Sequence, residues 1–401
     1  MKRLAVLGSI SLSLFLLAGC ASQQPTNAPP PPVFADASFA PPSEPVRTDT
    51  LFELSPPMQA YLNSSRFRAT LRERGERHGL VDALYSKTDL QIEYESSKTH
   101  TAAETYAARS GNCLSLVIMT AAFAKALGMP VQYRTIEDGN TWSREAGLFL
   151  SSSHVNILLS ERRIPNAYSS DSEMQLLVDF IPGDAAARLR ARAIDEQDIV
   201  AFYANNRAAE TLIQGRLDDA YWWARAAVQA RPQMVTALNT LGVVYKRHGD
   251  TARAEQTFLA ALAREPENVL VMRNLHPVLL ELGKQDAALA LSKRIDSIEP
   301  VPPYHYFDQG MLALQDGKPD KARALFEREL KRAPFNDEFR FWLGIAYARL
   351  GAVRDAREQL ALAVEHSTRR DMRDQYAAKL AYLRMLSMDG RGGATGQRRY
   401  Q

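Results

Sequence analysis

The chain is poor in cysteine: its 401 residues include two, Cys20 and Cys113, which excludes a small scaffold held together by disulfides. Net charge is also scarce. Lysine and arginine number 49 against 46 aspartates and glutamates, a formal +3, and Lys2 and Arg3 supply two of those charges. Neutralising phosphates needs a concentrated basic surface, so no nucleic acid is expected as a partner. After Leu17 no apolar run is long enough to span a bilayer. There is no glycine-rich phosphate loop and no Gly-x-Ser-x-Gly elbow. His78, His100 and His154 lie scattered beside one cysteine, without the close ligand pairs of a metal site. No metal and no cofactor are expected. What is present is globular, 46% apolar and 24% charged, in a length that calls for two or three domains.

Lys2 and Arg3 precede an apolar run from Leu4 to Leu17, closed by Leu17-Ala18-Gly19-Cys20. So short a run, ending in small residues, reads as an export signal over residues 1–19 rather than a spanning helix. The tetrapeptide resembles the lipobox of bacterial lipoproteins. That resemblance implies cleavage before Cys20 and acylation of its thiol and new amino group. With Ala21 where Asp would retain a lipoprotein in the inner membrane, it implies an outer-membrane anchor facing the periplasm of a Gram-negative bacterium. The membrane would be met through the lipid alone. Residues 20–48 contain Pro25, Pro29 to Pro32, Pro41, Pro42 and Pro45 and few large apolar side chains. They are expected to form an extended tether that buries too little to fold, reaching on the order of 80 Å at ~3.1 Å per residue.

Residues placed 34 apart fall into columns. Gly215, Gly249, Gly283, Gly317 and Gly351 form one; Ala220, Ala254, Ala288, Ala322 and Ala356 another; Pro232, Pro266, Pro300 and Pro334 a third. The small column lets two helices approach closely, the glycines end the first helix of each pair at positive φ, and the prolines stop the second. Period and residue types resemble the tetratricopeptide repeat, most sharply in Val235–Asn268. Five units are expected within residues 199–386, starting near Ala201, Val235, Val269, Pro303 and Asp337, with a closing helix over Arg370–Leu386 and a loose tail over 387–401. One helix pair cannot bury its apolar face alone, so the units must stack into a superhelix. The family resemblance implies a peptide-binding groove lined by each first helix, here by Asn239, Lys246, Arg273, Phe307, Met311 and Phe341. The alternative for these residues is packing within the array or against the preceding domain.

Residues 49–198 show no 34-residue echo. Thr101–Arg109 reads as a helix, Ser110-Gly111-Asn112 as a turn and Cys113–Leu127 as a second helix, apolar on every side except at Lys125 and therefore buried. Val131–Ile136, Leu148–Ser160 and Gln175–Ile181 read as strands, giving an α+β arrangement. Cys113 stands at the first turn of the buried helix, where unpaired N–H groups favour an anion. If Cys20 is acylated, Cys113 is the one thiol left in an oxidising compartment, without a disulfide partner.

The run Thr101-Ala102-Ala103-Glu104-Thr105-Tyr106, then Arg109-Ser110-Gly111-Asn112-Cys113, then the apolar helix ending Leu127-Gly128-Met129-Pro130, resembles the transglutaminase-like cysteine enzyme superfamily over about residues 60–185. The resemblance implies an α+β papain/transglutaminase-like domain followed by an all-α tetratricopeptide-repeat superhelix. It implies a triad of Cys113 as nucleophile, His154 as base and Asp179 as orienting carboxylate, with the Cys113 N–H and Asn112 as oxyanion donors. Asn156 departs from the aromatic that many members carry two positions after the histidine, and Trp142 is a candidate shield for the site. The expected activity is acyl transfer on an amide or peptide bond through a thioester, as a peptidase or amidase ahead of a cross-linking enzyme, with water or an amine able to resolve the thioester. Substrates within reach are peptides or proteins, including cell-wall peptide, and the repeats would bind a protein partner. The competing reading is a non-enzymatic scaffold lipoprotein whose cysteine domain is inactive.

Overall fold

The computed structural model describes residues 34–392 apart from 87–88, 97, 137–140, 146–147, 153, 162–174, 181–189 and 368. Cys20 and the signal segment lie outside the described residues. Three short helices come first, α1 (Pro56–Asn63), α2 (Ser65–Arg74) and α3 (Glu76–Tyr85). Strand β1 (Glu93–Tyr94), helix α4 (Ala102–Ala108), strand β2 (Ser110–Gly111) and helix α5 (Cys113–Ala126) follow. Helix α4 is started by a capping box in which Thr101 and Glu104 exchange side-chain and main-chain hydrogen bonds. Then come β3 (Val131–Ile136), β4 (Thr141–Glu145), β5 (Leu148–Ser152), β6 (Val155–Ser160), β7 (Gln175–Val178) and β8 (Ala191–Ile194). Four of them form an antiparallel sheet in the order β7-β6-β3-β8, β4 and β5 make a separate pair, and β1 pairs with β2 in parallel.

Helix α5 is buried from Leu114 to Ala124 and packs against β3 and β6, as its all-round apolar sequence requires. The single strand expected over 148–160 is two, β5 and β6, and His154 stands immediately before β6. Strand β7 stops at Val178, which places Asp179 just past a strand end.

The remaining helices pair as the columns require: α6 (Glu196–Ile213) with α7 (Leu217–Ala230), α8 (Val235–His248) with α9 (Thr251–Leu262), α10 (Val269–Glu281) with α11 (Gln285–Ile298), α12 (His305–Gln315) with α13 (Pro319–Arg332), and α14 (Asp337–Arg349) with α15 (Val353–His366). The glycine column follows each first helix with φ between 70 and 87°, a left-handed conformation that costs other residues. A second glycine position works by close approach. A Cβ on Gly242 would sit 2.6 Å from the Phe258 ring, and one on Gly310 would sit 2.5 Å from Phe326. Where the first member of this pair is larger the second shrinks, as in Ala208 with Ala224 and His276 with Ser292. Helix α16 (Arg370–Gly392) closes the array. It runs past Leu386, so residues 387–392 continue the helix instead of opening the expected tail, and 393–401 lie outside the described residues.

The extended tether expected over 20–48 is, from Phe34 onward, a docked strap. The Ala35 N–H donates to the Tyr221 hydroxyl at 2.8 Å, and that hydroxyl donates to Asp36 at 2.6 Å. Phe39 stacks on Tyr221 with ring centres 3.9 Å apart and lies 4.3 Å from the His248 ring. Ser43 donates twice to Asp219, and the Trp222 indole donates to the Ala40 carbonyl. The prolines keep this piece extended, but Phe34 and Phe39 give it the apolar surface that pure tether composition lacks.

One hydrophobic core runs without interruption from Ala35 through the α5–sheet layer to Ala288; two smaller clusters, Tyr304–Ala346 and Ala356–Leu383, hold the last repeats. No helix among the described residues is long and apolar enough to cross a membrane. Because a methyl at residue 242 would overlap an aromatic ring, Gly242→Ala is expected to destabilise the protein by about 1–3 kcal/mol. Urea unfolding followed by circular dichroism checks this; an unchanged midpoint would contradict the close-approach account.

Candidate active site

Each member of the Cys-His-Asp set is held by a different local device. Cys113 opens α5 because Asn112 caps that helix: its Oδ1 accepts the Ser115 N–H at 2.9 Å. Gly111 is required just before it, since a Cβ there would lie 2.6 Å from the Ser115 Cβ. His154 is set by the sheet. Its carbonyl accepts the Ile136 N–H at 2.9 Å and the Thr135 hydroxyl at 3.3 Å. Asp179 follows β7, the neighbour of β6.

The structure brings the three together. The His154 Nε2 donates to Asp179 Oδ1 at 2.7 Å, with the imidazole side chain 5% exposed and the carboxylate 15%. Nδ1 is then the ring nitrogen left for Cys113, whose sulfur lies close enough to the ring to favour its charged form. Burial by itself would lower the basicity of this imidazole. The Asp179 carboxylate and then the Cys113 sulfur outweigh that effect and push the His154 pKa up to about 9. Asn156, which departed from the family pattern, braces the carboxylate: its Nδ2 donates to Asp179 Oδ2 at 2.9 Å. Each Asp179 oxygen thus has its own donor.

Asn112 is engaged at both ends of its amide. Its oxygen accepts from the Ser115 main chain and from the Ser115 hydroxyl at 2.8 Å, and its Nδ2 donates to Thr99 Oγ1 at 2.7 Å. Its oxygen caps α5, and one of its two amide hydrogens is held by Thr99. Beside Cys113 stands Tyr94, on β1. Pairing of Tyr94 with Gly111 across β1 and β2 sets it beside α5, where its hydroxyl lies against the main chain and the thiol of Cys113. Burial, reinforced by the nearby sulfur, pushes its pKa well up, so it stays a neutral phenol and keeps a proton to donate. Neither Tyr94 nor the role of Asn156 was evident from spacing. The signal available for Tyr94 was one aromatic in a polar stretch before the cysteine helix. The side chain of Trp142 lies outside the described residues.

Of the six residues expected to line a groove, Asn239 and Phe307 are buried, and Lys246, Arg273, Met311 and Phe341 are partly exposed. Phe307 is buried among Tyr304, Phe326 and Phe339, and Met311 packs on the same cluster. Phe341 stacks on Tyr376 of α16 with ring centres 4.6 Å apart. Asn239 is buried and accepts from Asn274 at 2.8 Å, and Arg273 pairs with Glu299 at 3.1 Å. Lys246 is half-buried in the last turn of α8. Packing between neighbouring units buries Asn239 and Phe307 and leaves the other four in part accessible.

With this geometry in place, comparison with known proteins bears on the array. A family model described as tetratricopeptide repeat matches residues 239–299 and 307–371. Similar solved structures include a thermophilic tetratricopeptide protein of Thermus thermophilus, 23% identical, with a TM-score of 0.28 over 45% of this chain and 99% of that one. They also include YrrB, described as a tetratricopeptide protein with an unusual peptide-binding site, 23% identical, with a TM-score of 0.25 over 46% of this chain and 94% of that one. A third is pilF of Pseudomonas aeruginosa, 19% identical, with a TM-score of 0.26 over 47% and 94%. No curated protein matches the chain. The C-terminal half is a tetratricopeptide-repeat scaffold, a superhelix of paired helices.

The raised His154 pKa makes stability depend on pH. A histidine whose folded pKa lies above its ordinary 6.5 contributes stabilisation that is fully present below about pH 6.5 and is lost as the pH rises through about 9. Asp179→Asn removes the main cause of the rise, so wild type should exceed the variant by up to ~3 kcal/mol at low pH, and the gap should close above pH 9. Paired thermal melts across that range test it. A gap independent of pH would mean that His154 and Asp179 are not charge-coupled.

Proposed function

We propose that residues 49–198 form a transglutaminase-like cysteine enzyme acting on amide or peptide bonds, carried on an outer-membrane lipoprotein that faces the periplasm. The observation that carries this reading is the chain of contacts Cys113–His154–Asp179. Its members stand in the order and on the elements that the sequence resemblance implies: a helix start, a strand start and the end of the neighbouring strand.

The chemistry follows from the groups present. Cys113, its proton held by His154, attacks the amide carbonyl carbon and forms a C–S bond. The carbonyl oxygen takes over the Cys113 N–H, with the Tyr94 hydroxyl that lies against the Cys113 main chain as second donor. As the C–N bond breaks, His154 passes its proton to the departing amine. Water deprotonated by His154 then cleaves the thioester, releasing the acid and restoring the thiol. Asp179 keeps the imidazole oriented and supports its positive charge throughout, and Asn156 fixes Asp179. Peptide-rich cell-wall material and periplasmic proteins are the substrates an enzyme so placed would meet. The repeat scaffold is suited to a protein or peptide partner. Lipid at Cys20 would be the sole membrane contact.

An electrophilic thiol probe applied to the purified protein tests the reading. Labelling at Cys113 should vanish in Cys113→Ala and fall about 100-fold in His154→Ala at neutral pH. Equal labelling of wild type and His154→Ala would favour a scaffold whose cysteine domain has no activity.

A further inference from the structure

The loop Thr99–His100 lies over the start of α5 and is bonded from both sides. On one side Asn112 Nδ2 donates to Thr99 Oγ1 at 2.7 Å, and the His100 N–H donates to the Ser115 hydroxyl at 2.8 Å. That hydroxyl in turn donates to Asn112 Oδ1 at 2.8 Å. On the other side the Thr99 N–H donates to Glu210 Oε1 at 2.7 Å, while Arg207 donates to Glu210 Oε2 at 3.2 Å. Thr99 and Ser115 are fully buried, and Asn112 nearly so. Glu210 and Arg207 belong to α6, the first helix of the repeat array. An unbroken line of hydrogen bonds therefore runs from the array through Thr99 to the residue that caps the nucleophile's helix.

We infer that Glu210 is a positioning residue for Cys113: the first repeat is a working part of the active site rather than an appended docking module. This rests on the proposed cysteine chemistry. The physical argument is satisfaction of buried polar groups. Without the Glu210 acceptor the Thr99 N–H is left without that partner in a dry site, and the loop shifts to find another. Thr99 Oγ1 moves with it, Asn112 loses its anchor, and the first turn of α5, which carries the sulfur and its N–H, loosens. A displacement of this size matters because reacting atoms must be held within fractions of an ångström. The array meets the site a second time. At the start of α16 the Arg370 N–H donates to Glu95 at 2.8 Å, and the Arg370 guanidinium lies 3.7 Å from Glu93. These carboxylates flank Tyr94 in sequence, so both elements facing the sulfur are tied to the repeats.

The test is the second-order rate of Cys113 alkylation by iodoacetamide at neutral pH in the full chain, read by mass spectrometry on the peptide containing that residue. Glu210→Ala and Thr99→Val should each slow it about tenfold. Glu210→Gln, which keeps an acceptor for the Thr99 N–H, and Thr99→Ser, which keeps the hydroxyl, should stay within about threefold of wild type. A merely destabilising role would not follow this acceptor-and-hydroxyl pattern. If Glu210→Ala fails to fold by circular dichroism, the Thr99→Val and Thr99→Ser pair decides. Should His154→Ala slow alkylation while Glu210→Ala and Thr99→Val react like wild type, this inference is overturned and the cysteine chemistry stands. Alkylation indifferent to His154→Ala removes both.

Discussion

A buried helix start must find partners for its main-chain N–H groups and for every polar atom brought in to cap them, and the beginning of α5 is where that constraint is most demanding. Asn112 meets it by engaging its oxygen with Ser115 and its nitrogen with Thr99. Thr99 then has its own N–H to satisfy and draws in Glu210. The cysteine sits at this point because a helix start offers it an N–H and a favourable field. The surroundings are arranged to keep that start dry and fixed. Sheet, loop and first repeat are consequences of one requirement.

The same logic of neutralisation shapes the histidine side. A buried imidazole would ordinarily be driven neutral, yet Asp179 on one nitrogen and the sulfur near the other favour its charged form. Asn156 takes the second carboxylate oxygen, so the negative group is held at both oxygens. A bulky aromatic in place of Asn156 would remove this donor.

Periodic features were legible in the sequence. The 34-residue columns place the helix ends of the array, and β3 is found at Val131–Ile136 as its alternation indicates. The set Cys113, His154 and Asp179 is suggested by family resemblance, and two of its members, His154 and Asp179, are hydrogen-bonded to each other. What could not be read depends on partners far along the chain. The two-residue β1–β2 pairing has no pattern of its own, and nothing local distinguishes Tyr94 or Glu210 from any other tyrosine or glutamate. Residues 34–47 misled because proline content reports backbone stiffness and says nothing of whether Phe39 has rings to stack on. At the expected groove, the sequence could not tell that Phe307 is enclosed by Phe326 and Phe339 or that Phe341 stacks on Tyr376 of α16.

The uninterrupted core from Ala35 to Ala288 moves the natural seam of the molecule. By sequence the division falls near residue 199, where the repeats begin; by shared apolar burial it falls near Pro300-Val301-Pro302-Pro303, after which the last repeats rely on clusters of their own. The early repeats are therefore thermodynamic kin of the cysteine domain and gain or lose order with it. The late ones rest on their nearest neighbours and on the polar contacts that α16 makes back to β1, so their burial is decided apart from that of the cysteine domain.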